Sequence, residues 1–350
     1  MRFNLSNLDP FFSALIPLGW TDLRAATWTV DHTADGEPAR VVRHDGSTLS
    51  VVTANGSRVV RNTPHLDPQP TVGDWLVIDG VHVTRVLERT SLLRRMDADG
   101  DRAQALAANV DFVLITCGAD RPIRATRIHR SVAQARDAGA TPLLVLTKAR
   151  TADDDAVDVP RLALEHPGVA VFETSALEDV GIERLRAAIG GRTSVLLGES
   201  GAGKSTLANA LLGRSEAVTG EVRQGDAKGR HTTTSRNLHV LPGGGVIIDS
   251  PGIRSVGLFA DADAVNASFT EIQQFAEQCR FGDCAHAGEP GCAVAAAVGS
   301  GDLDSARFES WLHLQREVAS AARRSDPRAA HDYARRYGRA AKEGQARKRR

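Results

Sequence analysis

The chain has 350 residues, enough for two or three domains, and its 42% hydrophobic and 25% charged content is that of a folded globular protein. Its 43 basic and 43 acidic side chains cancel, which excludes a global electrostatic attraction to nucleic acid. No apolar run reaches the length of a membrane span, and the N-terminus lacks a basic start followed by an apolar core, so neither a membrane anchor nor a signal peptide is expected.

In chain order, residues 1–25 read as an N-terminal extension in which Phe11, Phe12, Leu15, Ile16 and Leu18 form the apolar face of a docking helix. Residues 26–90 change to short alternating segments. Thr27–Val30, Ala39–Arg43, Thr48–Thr53, Val72–Ile78 and Val81–Leu87 read as strands, punctuated by turns at Asp45-Gly46, Asn55-Gly56 and Asp79-Gly80. Five short strands in so small a space suit a β-barrel of the OB type. Residues 91–108 read as a linker carrying Arg94 and Arg95.

Residues 109–262 alternate strand and helix, the pattern of an α/β domain with a mostly parallel sheet. Its strands are expected at Val110–Thr116, Leu143–Thr147, Val169–Glu173, Ser194–Leu197, Leu238–Leu241 and Val246–Asp249, with helices at Arg127–Ala138 and Ile182–Ile189. Residues 263–350 are expected to be helical, at Ser268–Gln278, Cys292–Val298 and Leu303–Ala322. They end in a basic block, residues 335–350, of the kind that binds nucleic acid.

The chemistry is concentrated in the α/β segment. Gly198-Glu199-Ser200-Gly201-Ala202-Gly203-Lys204-Ser205 fits G-x-x-x-x-G-K-[ST], between an apolar strand and a helix that begins near Thr206. Its glycines let backbone N–H groups close on phosphate, helped by the positive end of the new helix. Lys204 would reach the β- and γ-phosphates and the Ser205 hydroxyl would ligate Mg²⁺. Asp249-Ser250-Pro251-Gly252 ends a strand and matches D-x-x-G, in which the Asp holds Mg²⁺ and the Gly N–H senses the γ-phosphate. Between the two motifs lies Gly229-Arg230-His231-Thr232-Thr233-Thr234, where Thr232 or Thr233 would complete the metal shell. Thr233 is the working choice, beside Ser205 and Asp249.

Guanine recognition is expected from Thr147-Lys148-Ala149-Arg150, similar to [NT]-K-x-D, and from Ser175-Ala176, similar to the S-A motif that reads guanine O6. The first departs from its pattern. Arg150 has only hydrogen-bond donors, so it cannot accept from guanine N1 and N2 as an Asp does. Weakened guanine selectivity is therefore expected, unless Asp153, Asp154 or Asp155 takes over. Both base-reading motifs precede the phosphate loop, whereas ordinary GTPases place them after it, so the domain is circularly permuted.

Cys279-x₄-Cys284-x-His286-x₅-Cys292 supplies three thiolates and an imidazole, the donor set of a closed structural Zn²⁺ site in a reducing compartment. Cys117 reads as a buried small hydrophobe.

Permuted GTPase motifs, a barrel before them and this cysteine pattern after them resemble the RsgA/YjeQ family of small-subunit-dependent GTPases. The phrases Gly-Arg-His-Thr-Thr-Thr at 229–234 and Glu-Pro-Gly-Cys at 289–292 are very similar to that family's own. The resemblance covers roughly residues 27–345 and implies an OB-fold, a permuted GTPase and a zinc-containing helical domain. It also implies a cytoplasmic, monomeric factor that binds the small ribosomal subunit and its rRNA late in assembly and hydrolyses GTP when stimulated by it. Ile253 stands where many GTPases carry a water-orienting Gln. The resemblance makes His231 the replacement, catalytic together with Lys204. A nucleotide-gated rRNA-binding factor with little turnover, or an NTPase of relaxed base specificity, are the alternatives.

Overall fold

The computed structural model describes residues 10–31, 36–96, 103–149, 159–213, 236–249 and 262–325. Its described residues divide between two compact units, one within Met1–Leu93, Ala105–Arg124 and Ala138–Ser255, the other within Arg94–Gln104, Ala125–Asp137 and Val256–Arg350.

The first unit contains both the barrel and the α/β sheet. Barrel strands β1 (Glu37–His44), β2 (Thr48–Thr53), β3 (Gly56–Arg61), β4 (Trp75–Asp79) and β5 (His82–Val86) run in the order β1-β2-β3-β5-β4, and a β1–β4 pairing closes the ring. The β3–β5 pair is parallel and the others are antiparallel. Ala39, Val41, Leu49, Val51, Leu76 and Ile78 fill the interior from alternate positions, as a period of two requires. This is the expected five-stranded barrel, with two corrections to its strands.

Thr27–Val30 is not a strand. It lies in α2 (Asp22–Asp31), despite β-branched residues that favour strands. Thr21 caps the helix, accepting the Arg24 N–H at 3.4 Å, and Ala25 and Trp28, three residues apart, are both buried. They join Phe12, Leu15, Leu18 and Trp20 against Trp75 of β4. Trp20 lies edge-on to Trp75 with centroids 4.7 Å apart and stacks on Phe12 at 5.5 Å. Burial at helical spacing outweighs local propensity here. The expected docking helix is only the short α1 (Pro10–Ser13) and a 3₁₀ turn at Ile16–Leu18, and Ile16 faces solvent.

The second correction is β3, absent from the expectation. Only Val60 of this strand is buried, so it shows no apolar alternation. Residues 91–108, read as a linker, instead hold β6 (Leu92–Met96) and β7 (Ala103–Ala108), which pair as a two-stranded sheet. Arg94-Arg95 and a run of alanines hide both strands from a pattern search.

The remaining strands are β8 (Phe112–Gly118), β9 (Thr141–Thr147), β10 (Ala170–Glu173), β11 (Thr193–Gly198), β12 (Asn237–Val240) and β13 (Val246–Asp249). Their order is β10-β9-β8-β11-β13-β12, parallel except for β12, and β12 pairs with β1 so that the sheet continues into the barrel. All six follow the expected strands to within a few residues. From β8 the chain steps outward through β9 and β10, then returns to the other side of β8 as β11. That reversal makes the β8/β11 boundary the topological switch point, where open α/β sheets bind ligands. Helices α5 (Ile182–Ile189) and α6 (Lys204–Leu212) cover the sheet, burying Leu185, Ile189, Leu207 and Leu211 against Leu114, Val145, Leu196 and Ile247. A short α4 (Val159–Glu165) precedes β10.

The second unit is helical. It contains α3 (Ala125–Asp137), α7 (Ala262–Asn266), α8 (Thr270–Ala276), α9 (Ala293–Ser300) and α10 (Ser305–Ser325). Val265, Phe269, Ile272, Val294, Trp311 and Leu314 form its core, with Ala133 of α3. Arg307 ties the unit together through the Ser268 carbonyl at 2.9 Å, a pairing with Glu271, and a cation–π contact 4.7 Å from the Phe269 ring. α3, expected to belong with the α/β domain, packs in this unit through an Arg130–Glu317 ion pair and the Ala133 contact.

Candidate nucleotide site and metal cluster

Four of the five parallel strands carry the expected nucleotide motifs, and each motif lies at or just beyond the C-terminal end of its strand. β11 ends at Gly198 and opens the phosphate loop, β13 ends at Asp249, β9 ends at Thr147, and β10 ends at Glu173, before Ser175-Ala176. Parallel pairing brings these ends to one edge of the sheet.

The loop geometry depends on its glycines. Gly201 (φ +78°) and Gly203 (φ +79°) are left-handed, a conformation that side chains oppose. At Gly198 a Cβ would lie 2.4 Å from the Thr116 carbonyl of β8, so the close strand pairing admits no side chain there. Glu199, Ser200 and Ala202 complete the crest, and Ser205 and Thr206 form the first turn of α6 after Lys204. The Lys204 ammonium donates to the Gly198 carbonyl at 2.8 Å and to that of Glu199. Burial lowers its pKa, and Asp249 and Glu199 oppose that shift. Asp249 is itself buried. This buried carboxylate could hold a Mg²⁺ ion beside the loop lysine.

The base-reading motifs are joined to the loop and to each other. The Thr147 hydroxyl donates to the Ala202 carbonyl at 2.8 Å, and Lys148, itself left-handed at φ 59°, donates to the Gly201 carbonyl at 3.1 Å. The Ala149 N–H reaches the Thr174 carbonyl at 3.2 Å, and the Thr174 N–H reaches the Leu146 carbonyl at 2.7 Å. Thr174 and Ser175 are buried, and Ala176 packs against the sheet core.

Two site residues carry no motif. Asp120 and Arg121 follow β8. Asp120 Oδ2 accepts from Lys148 Nζ at 2.7 Å, and its Oδ1 accepts from Arg121 Nε at 3.2 Å. Hydrogen bonds from Lys148 and Arg121 lower the Asp120 pKa below the usual carboxylate range. Arg121 also donates to the carbonyls of Ser200, at 3.4 Å, and Gly201, at 3.2 Å.

In the second unit, Cys279, Cys284, His286 and Cys292 place one donor atom each within 4.8 Å of one another. A tetrahedron with Zn–S arms of about 2.3 Å has edges of about 3.8 Å. The Cys279–Cys292 sulfurs are 4.0 Å apart, and His286 Nδ1 is 3.6 and 3.5 Å from them, so the cluster fits a four-coordinate Zn²⁺. Backbone N–H groups of Ala293 and Ala295, at the start of α9, donate to the Cys279 and Cys292 sulfurs at 3.3 Å. Glu289 braces the loop by accepting from the Ala285 and Ala287 N–H groups at 3.2 and 2.8 Å.

A family model described as RsgA GTPase matches residues 86–259. The "Small ribosomal subunit biogenesis GTPase RsgA" of Streptomyces coelicolor is 43% identical, the match spanning 95% of this chain and 94% of that protein. The chain belongs to the RsgA GTPase family. It is an RsgA-type GTPase, and a relative of the same name from Streptomyces avermitilis is 40% identical over 98% of this chain and 97% of its own. That match therefore reaches into the N-terminal residues, which the RsgA motifs did not cover. Two solved structures share the fold. YjeQ from Thermotoga maritima superposes with a TM-score of 0.61 at 24% identity, covering 81% of this chain and 98% of its own. YloQ, a circularly permuted GTPase, gives 0.58 at 20% identity, covering 83% of this chain and 97% of its own. This member of the RsgA family thus combines a five-stranded barrel, a permuted α/β domain and a C-terminal cysteine–histidine cluster.

Of the RsgA-type site residues read from sequence, the structure gathers Thr147, Lys148, Ser175, Ala176, the loop from Gly198 to Thr206, and Asp249 at one sheet edge. It also brings the four metal-cluster residues together. Arg150, Asp153, Asp154, Asp155, His231, Thr232, Thr233, Gly252, Ile253 and the tail 335–350 lie outside the described residues. Asp120 and Arg121 were missed. Their only sequence signal is their place just after a strand at the domain's switch point.

Proposed function

We propose that this chain hydrolyses GTP to GDP and phosphate during late maturation of the small ribosomal subunit, and that the subunit stimulates turnover. The observation that carries this reading is the meeting of phosphate loop, Asp249, Thr147-Lys148 and Ser175-Ala176 at one edge of the parallel sheet. In this reading the backbone N–H groups of residues 198–206 hold the phosphates, and Lys204 leaves its carbonyl partners to neutralise the β- and γ-phosphates. Ser205, Asp249 and Thr233 hold Mg²⁺, which draws charge off the phosphates when bound. Lys148 lies along the guanine, Ala176 N–H donates to its O6, and Gly252 senses the γ-phosphate. His231 orients the attacking water, because Ile253 has no hydrogen-bonding group.

The cysteine–histidine cluster holds one structural Zn²⁺. rRNA phosphates are met by the basic block at 335–350, through a salt-dependent contact. The protein acts as a cytoplasmic monomer; no helix among the described residues is long and apolar enough to cross a membrane.

The test is single-turnover GTP hydrolysis with and without purified subunits, joined to co-sedimentation in each nucleotide state. Faster hydrolysis with small subunits only, and tighter binding with a non-hydrolysable triphosphate than with GDP, are expected. Nucleotide-dependent binding without stimulation would instead make the chain a gated RNA-binding factor.

A further inference from the structure

The crest of the phosphate loop presents three consecutive carbonyls to side chains from the ends of β8 and β9. Ser200 O accepts from Arg121 Nη1 at 3.4 Å. Gly201 O accepts from Arg121 Nη2 at 3.2 Å and from Lys148 Nζ at 3.1 Å. Ala202 O accepts from the Thr147 hydroxyl at 2.8 Å. In a trans peptide the carbonyl and the following N–H point in opposite directions. Tying these carbonyls toward β8 and β9 therefore turns the N–H groups of Gly201, Ala202 and Gly203 to the opposite side of the loop. The Ala202 N–H closes on the Glu199 carbonyl at 3.3 Å, within the loop's own turn. Those of Gly201 and Gly203 are left aimed where this motif receives phosphate.

We propose that Arg121, braced by Asp120, is a positioning residue for the phosphate cradle: it holds the Ser200 and Gly201 peptides so that the Gly201 N–H faces the phosphates of a nucleoside di- or triphosphate. The inference rests on reading Gly198–Ser205 as the phosphate loop.

The local geometry is built for this arrangement. Arg121 lies against Gly201, where a Cβ would come 3.2 Å from Nη2 and where φ is +78°. At Gly118 a Cβ would come 2.5 Å from Asp120 Oδ1, so the glycine leaves room for the carboxylate. Arg121 and Lys148 converge on one carbonyl, and two cations so placed repel. Asp120 lies between them, 2.7 Å from Lys148 Nζ and 3.2 Å from Arg121 Nε, and removes that conflict. A guanidinium suits the task because its rigid planar fork holds separate donors in fixed directions toward two neighbouring carbonyls and a carboxylate.

A residue that orients a ground-state donor acts on binding of substrate and transition state alike. It changes Kd and KM and leaves kcat nearly unaltered. An arginine that touched the γ-phosphate only in the transition state would do the reverse. The experiment measures GDP and GTP affinity with fluorescent nucleotide, and steady-state kcat and KM, for Arg121→Ala, Arg121→Lys, Asp120→Asn and the control Lys204→Ala. With Arg121 partly exposed, Arg121→Ala should weaken both nucleotides about three- to tenfold, with kcat within twofold. Arg121→Lys should restore part of the loss, Asp120→Asn should show a smaller one, and melting without nucleotide should stay at the native value. Unchanged affinity in Arg121→Ala, or a loss confined to kcat, overturns the proposal. If Arg121→Ala fails to fold, native affinity in both Arg121→Lys and Asp120→Asn overturns it equally. Undiminished binding in Lys204→Ala would overturn the phosphate-loop reading itself.

Discussion

Cys284→Ala separates the metal's contribution from ordinary packing. Cys284 is half-buried, so trimming it to alanine opens little cavity and by itself costs about 1 kcal/mol. A zinc ion held by the cluster would be worth far more. Structural zinc supplies about 10–16 kcal/mol of apparent free energy in small zinc-folded peptides, whereas whole domains are stable by only about 5–15 kcal/mol. Loss of one thiolate should therefore lower the stability of the second unit by several kcal/mol, well beyond the packing cost. The cysteines pack against the same core as Phe269, Trp311 and Leu314, so the failure should spread to the helices around them. Helical circular dichroism should melt at a lower temperature in Cys284→Ala, and zinc per chain should fall. A chelator should do the same to the native protein. GDP affinity should change little, because the phosphate loop belongs to the first unit. Full zinc content with unchanged melting in Cys284→Ala would refute the structural role.

Thr147→Val keeps the shape of the side chain and deletes a buried donor to the Ala202 carbonyl. It should cost about 1–3 kcal/mol in stability and about tenfold in GDP affinity, read by melting and titration, while Thr147→Asn, which restores a donor, should recover most of the loss. Gly198→Ala drives a Cβ to 2.4 Å from the Thr116 carbonyl; it should destabilise the β8–β11 pairing by about 1–3 kcal/mol and displace the loop, seen as a lower melting temperature and weaker nucleotide binding. Titration with GDP, ADP and XDP should show weaker discrimination against ADP in the native protein than in Arg150→Asp. Equal discrimination in the two would point instead to Asp153, Asp154 or Asp155 as the base-reading carboxylate.

The phosphate loop, the permuted order of the motifs and the metal donor set were all legible in the amino-acid sequence. Each is a local requirement: glycines where φ is positive or space is lacking, a lysine at fixed spacing, thiolates and an imidazole close along the chain. The parallel strands were equally legible, because apolar runs such as Val246–Asp249 are buried on both faces. Tertiary structure decided the rest. Trp28 becomes helical because Trp20 and Trp75 complete an aromatic core beside it, and Trp75 is remote in sequence. β3 is a strand because β2 and β5 supply its hydrogen bonds, not because its own residues alternate. Asp120 and Arg121 meet Lys148 and the Ser200–Gly201 crest only because β8 lies between β9 and β11. Arg121 and Ser200 are 79 positions apart, and no spacing rule links them. A local pattern records what one stretch of backbone needs, whereas a side chain's partner depends on which strands become neighbours when the sheet forms.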